Sequence, residues 1–176
     1  MERIYIDSSV YIKLFKREKG TNTAKRLFSL VKSPISKTRL FLSYWTIAES
    51  ISVIDCWSNQ RHEKNKGRTK ITKLRRDIII ATIFQGVVTY SDSKITLARI
   101  SHNMIEDSIK HIYAYNISAD DSLHLHVAYK TDCKWLVTAD KRLKRQADNK
   151  VELNGLRIID IENKQEMDEL FKHIAI

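Results

Sequence analysis

The chain has 176 residues but only one proline and four glycines. So few turn-forming residues speak against a sandwich or barrel with many tight turns, and favour helices joined by short connections. Cysteine is also scarce. Cys56 and Cys133 lie far apart, with no CxxC pair and no Cys/His ligand spacing, which argues for two reduced thiols rather than a disulfide or a zinc site. Long apolar runs are missing too. The longest, IIIATIF at residues 78–84, is much too short to span a bilayer. The start, MERIYIDSSV, lacks the basic residues and long apolar stretch of a signal peptide. The expectation is a soluble, cytoplasmic protein. Its length fits one domain, 1–176, with a basic insertion at about 57–77.

What the chain does have is positive charge: 31 basic against 21 acidic residues, a net +10. Charge speaks to partners rather than to fold. Nucleic acid is the commonest polyanion, although an anionic membrane surface or plain solubility would account for the same number.

Short apolar runs at 4–6, 40–43, 135–138 and 156–161 read as strands. Residues 87–90 (VVTY) read as a strand or an extended link. Helical spacing joins Ala24, Leu27, Phe28 and Val31 within 22–31, and Ile47, Ile51 and Ile54 further on. After the polar stretch NQRHEKNKGRTK it returns with Ile71, Leu74 and Ile78, which predicts a protruding basic helical hairpin. A helix is predicted over 96–113, with Leu97, Ile100, Met104, Ile105, Ile109 and Ile112 as its stripe. Further helices are expected after Ser118, after Asp140 and at the end of the chain. Strands alternating with helices predict an α/β fold: a central, mostly parallel sheet of about four to five strands flanked by helices.

Binding sites in such sheets lie at the carboxyl ends of the strands. Asp7 ends one strand and Asp140 follows another, so both should share one edge. Each could instead cap the helix that follows it. In SADDSLHL, Ser118 and Asp121 resemble a capping box, and Asp121, one turn before Leu125, is preferred to Asp120 for the site. Glu49 lies one to two turns beyond a strand end, beside the small residues Ala48 and Ser50. Four carboxylates on one edge repel one another unless cations neutralise them. Oxygen ligands of this kind suit Mg²⁺ or Mn²⁺, as one or two ions.

IDSSVYIKLF, SYWTIAES, ADDSLHLHVA and LVTADKRL, in that order, resemble the PIN-domain ribonucleases, many of which are VapC-like toxins of toxin–antitoxin pairs. The resemblance implies a PIN-like fold and a metal-dependent endoribonuclease. It makes Asp7, Glu49, Asp121 and Asp140 the catalytic and metal-binding acids. Ser8, Asp120, His124 and Thr138 would stand just behind them. The expected partners are RNA, a small antitoxin and a second copy of the chain, and no membrane. The basic segment, with Arg61, Lys64, Lys66, Arg68, Lys70, Lys73, Arg75 and Arg76, is a candidate RNA contact or a solvated charged hairpin. It is also a departure from the compact toxin pattern. A non-cleaving RNA-binding or scaffold protein on the same fold is the alternative from another class.

Overall fold

The computed structural model describes residues 1–64, 77–83, 94–148 and 155–174; for 58–64 only the helical backbone is described. Five strands, β1 (Arg3–Ile6), β2 (Arg39–Ser43), β3 (Ile95–Ala98), β4 (Trp135–Thr138) and β5 (Arg157–Asp160), form one sheet in the order β3-β2-β1-β4-β5. All four pairings are parallel, with Ile6 opposite Val137 and Tyr5 opposite Phe41. Between the strands run α1 (Ser8–Tyr11) with a following 3₁₀ turn (Ile12–Leu14), α2 (Thr21–Lys32), α3 (Tyr44–Lys64), α4 (His102–Tyr115), α5 (Ala119–Lys130), α6 (Lys141–Ala147) and α7 (Lys164–Ile174). Residues 77–83 are also helical.

Strand alternation divides the core into two layers. Ile4, Ile6, Leu40, Leu42, Trp135, Val137 and Ile159 enter one layer, against Leu27, Val31 and Leu170 of α2 and α7. Tyr5, Phe41, Leu136 and Ile158 enter the other, against Leu125, Val127 and Leu143 of α5 and α6. Each fully buried apolar side chain of this kind contributes about 1.5–3 kcal/mol. With helices on both faces the strands are mostly apolar, with charged or hydroxyl residues largely at their ends, as in parallel sheets generally. Among the described residues, no helix is long and apolar enough to cross a membrane.

One expectation fails. Residues 95–98 are not the start of a helix over 96–113 but strand β3, and α4 begins only at His102. Ile95, Thr96 and Leu97 alternate between the layers and pair with the free edge of β2, which satisfies their backbone groups. Ser101 then caps α4 by accepting the Met104 N–H (3.3 Å). The predicted apolar stripe is inward only in part: Leu97, Ile100 and Met104 pack against the core and Ile112 is half-buried. Ile105, Ile109 and Tyr113 are exposed, while Ser108 is the buried residue of α4. The Ser122 hydroxyl of α5 donates to the Ser108 carbonyl, so this helix pair meets through a polar contact. The predicted strand or link at 87–90 and the centre of the predicted basic hairpin lie outside the described residues.

Candidate active site

Asp7 closes β1 and shares its face with Tyr5, two residues earlier. It occupies the cap position of α1, but its side chain makes no capping hydrogen bond. The carboxylate instead accepts from the hydroxyls of Ser9 (2.6 Å) and Thr138 (2.7 Å) through one oxygen, and from Ser8 (3.4 Å) through the other. Only 5% of the residue is exposed. Simple helix capping is therefore not its role.

Asp140 does cap. One of its oxygens accepts from the N–H groups of Arg142 (2.6 Å) and Leu143 (3.1 Å) at the start of α6. Its own N–H donates to the Thr138 hydroxyl (2.9 Å), so Thr138 links the Asp140 backbone to the Asp7 carboxylate.

Asp121 sits in the first turn of α5. Its N–H donates to Ser118 Oγ (3.2 Å), and the Ser118 hydroxyl donates back to one carboxylate oxygen (2.7 Å). Burial raises the Asp121 pKa, the Ser118 hydrogen bond opposes this, and the charges of Asp140 and Asp7 add to the rise. The carboxylates of Asp140 and Asp7 are thus near enough for their charge to act on Asp121. Asp120, its neighbour in sequence, is exposed and makes no hydrogen bond or ion pair among the described residues.

Glu49, half-buried on α3, reaches the group through His124. The imidazole Nε2 lies 2.5 Å from Glu49 and 3.4 Å from Asp7. One oxygen from each acid and a ring nitrogen of His124 lie within 4.8 Å of one another. On its far side, Nδ1 of His124 meets the Tyr5 hydroxyl at 2.8 Å, and Tyr5 donates to Ser43 (2.8 Å). Thr46 completes this buried network, 3.1 Å from Tyr5. Burial disfavours a charge on the ring, but the Tyr5 oxygen, Asp7 and Glu49 outweigh it and hold the His124 pKa well above the usual histidine value. An imidazolium donates hydrogen bonds and does not ligate metal. In that state His124 clamps the two carboxylates.

The structure brings Asp7, Glu49 and His124 into direct contact, binds Ser8 and Thr138 to Asp7, and ties Asp140 to them by its backbone through Thr138. Asp121 is related to Asp7 and Asp140 through their charge, and Asp120 makes no contact with the group among the described residues. Sequence reasoning missed the roles of Ser9, Tyr5, Ser43 and Thr46. Two of them had a signal: Tyr5 shares a strand face with Asp7, and Ser9 is the next hydroxyl beyond it. Of the candidate RNA contacts, Arg61 and Lys64 fall where only the backbone of α3 is described. Lys66, Arg68, Lys70, Lys73, Arg75 and Arg76 lie outside the described residues.

An oxygen-rich donor set with like charges crowded together suits a hard divalent cation. The fold and this edge define an α/β protein with a group of acids around a buried histidine at the carboxyl ends of its strands. A sequence profile described as the PIN domain matches residues 4–149, and the chain belongs to that family. No curated protein sequence matches it significantly. Its fold is similar to that of VapC20 from Mycobacterium tuberculosis, a toxin that cleaves the sarcin–ricin loop, at 16% identity and a TM-score of 0.56. That match covers 85% of this chain and 97% of the toxin. The fold is also similar to VapBC2 from Rickettsia felis, solved on a DNA fragment from its promoter. There the identity is 12% and the TM-score 0.52, over 89% of this chain and 96% of that one.

Proposed function

We propose that this chain is a divalent-metal-dependent endoribonuclease, a toxin-like member of a toxin–antitoxin pair, acting as a single domain. The observation that carries the reading is the pairing of Asp7 and Glu49 around His124, with the charges of Asp7 and Asp140 raising the Asp121 pKa further. Four carboxylates against one imidazolium leave a net negative centre, which a cationic cofactor would balance.

Asp7, Glu49, Asp121 and Asp140 would hold Mg²⁺ or Mn²⁺, directly or through water. When bound, the ion supplies charge neutralisation at the phosphate and a more acidic water. The chain's own residues do the positioning. Ser9 and Thr138 fix one oxygen of Asp7. His124 sets the distance between Asp7 and Glu49, and Tyr5 holds the imidazole from behind. Thr138 couples the position of Asp140 to that of Asp7. A scissile phosphate placed over these acids would meet a preorganised site, the arrangement that contributes most to rate. The partners that fit this reading are RNA, a small antitoxin and a second copy of the chain, inside the cell.

The test is cleavage of single-stranded RNA by the purified chain in Mg²⁺ or Mn²⁺, with EDTA as the control. Asp7→Asn should lower the rate about a thousandfold. Cleavage by Asp7→Asn at the wild-type rate would reject the site. Metal-independent RNA binding with no cleavage in either metal would favour the scaffold reading.

A further inference from the structure

A second group of cations, distinct in sequence from the basic segment at 57–77, lies on the stretch that follows Asp7 and α1. The chain between the 3₁₀ turn and α2 folds around an open cavity of about 300 Å³, lined by Lys13, Phe15, Lys16, Arg17, Asn22 and Lys25 among others, with no carboxylate in its wall. That volume is at the lower end of small-ligand sites. Lys13, 3% exposed, is held by Glu18 (3.1 Å), Glu162 (3.3 Å) and the Lys19 carbonyl (2.7 Å). Lys16 pairs with Glu18 at 2.9 Å. Arg17 and Lys25 are exposed and make no ion pair among the described residues. The cavity therefore presents two uncompensated positive charges beside a half-buried phenylalanine and an amide side chain.

Its position relates it to the centre. The helical turn that follows Asp7 leads directly to Lys13. Glu162, just after β5, receives Lys13 at 3.3 Å and Lys141 at 3.9 Å, and Lys141 is the residue after Asp140. The cavity and the acids thus share the carboxyl edge of the sheet, joined on the β4–β5 side.

We infer that this cavity is a subsite for single-stranded RNA, holding a nucleotide that flanks the scissile phosphate. Arg17 and Lys25 contact backbone phosphate, and Phe15 and Asn22 meet the base. Cations interleaved with an aromatic and polar side chains are the common equipment of single-strand binding surfaces. The inference rests on the nuclease reading, and specifies which side of the centre grips the substrate.

The experiment measures binding of a short fluorescein-labelled oligouridine by anisotropy, in EDTA so that no cleavage occurs, between about 50 and 200 mM salt. The double variant Arg17→Glu/Lys25→Glu is compared with Lys37→Glu/Lys172→Glu, which makes the same charge change on other exposed lysines. The cavity variant should lose at least about tenfold in affinity, and its salt slope should fall by about 1.4, the contribution of two phosphate contacts to a single strand. The control should change much less. Arg17→Ala/Lys25→Ala, with its fold checked by circular dichroism, should show the smaller loss in the same direction. Equal losses in cavity and control variants, or no loss in either, would overturn the subsite while leaving the nuclease reading in place. Unchanged RNA affinity together with lost binding of an aspartate-rich peptide would assign the cavity to a protein partner, and also overturns it. A wild-type chain that neither binds nor cleaves RNA would overturn both.

Discussion

Two charge clusters share the carboxyl edge of the sheet, and they are built on opposite rules. Around Lys13, opposite charges alternate: the buried ammonium is enclosed by Glu18, Glu162 and a carbonyl, with Lys16, Lys19 and Lys141 on the outer oxygens. At the centre, Asp7 and Glu49 share one imidazole, and the charges of Asp7 and Asp140 reach Asp121. Burial raises the pKa of Glu18 and of Glu162, but hydrogen bonds and charge from the lysines win and lower both. Asp121 moves the other way. A cluster whose charges are satisfied within the chain holds structure together. One left out of balance is completed by something outside the chain.

Removing Lys13 should have the largest effect on stability. Lys13→Ala leaves two acids without their shared cation and should cost about 3–5 kcal/mol in urea unfolding, as broken buried pairs do. In the folded fraction, the rise in melting temperature on adding Mn²⁺ should match that of the wild type, because Lys13 touches none of the four acids. Loss of that rise without loss of stability would reverse the two assignments.

Asp121→Asn should do the reverse. It should abolish most cleavage, yet raise the melting temperature of the metal-free protein at neutral pH, because it relieves crowding. Added Mn²⁺ should raise the melting temperature of the wild type by more than that of the variant. Thermal scans with and without metal decide this.

The pH dependence of metal-free stability should separate the clusters more finely. The folded pKa values of Glu18 and Glu162 lie below their unfolded values. Their contribution is therefore present above the unfolded pKa and is lost as pH falls through the folded values, on the acid side of about pH 4. Asp121, with its folded pKa raised, contributes fully below its unfolded pKa and loses that contribution as pH rises through the folded one. Glu162→Gln should flatten the acid limb of a melting-temperature profile, and Asp121→Asn the limb above it.

The smallest effect concerns a buried ionisable group with little charge around it. Burial pushes the Cys133 thiol up to about 12, and the residue is 5% exposed. Cys56 is exposed. An aromatic disulfide reagent at mildly alkaline pH should titrate one thiol in the native chain and both after unfolding.

The strands were legible because parallel strands buried on both faces are short apolar runs, and 135–138 matched β4 to the residue. Asp7 and Asp140 were legible because strand ends are where such sheets bind, whereas Glu49 and Asp121, on helices, had only their spacing and the family resemblance. β3 was not, since Leu97 and Ile100 fit helical spacing as well as they fit a strand, and only the open edge of β2 decides between them. The Tyr5 network was hidden because a tyrosine in a strand reads as core, and its hydroxyl acquires meaning only when His124 arrives from α5. Nothing in the stretch KLFKRE marks Lys13 as buried. Its burial depends on Glu162, which is remote in sequence.

β1 lies between β2 and β4, so the first strand made has its second neighbour only after residues 135–138 exist. The hydroxyl that steadies Asp7 from across that pairing comes from Thr138. A growing polypeptide therefore carries its first acid through most of its synthesis with no means of completing the centre. The carboxylate centre is therefore assembled late and in one step, when β4 docks beside β1 and brings Thr138 to Asp7.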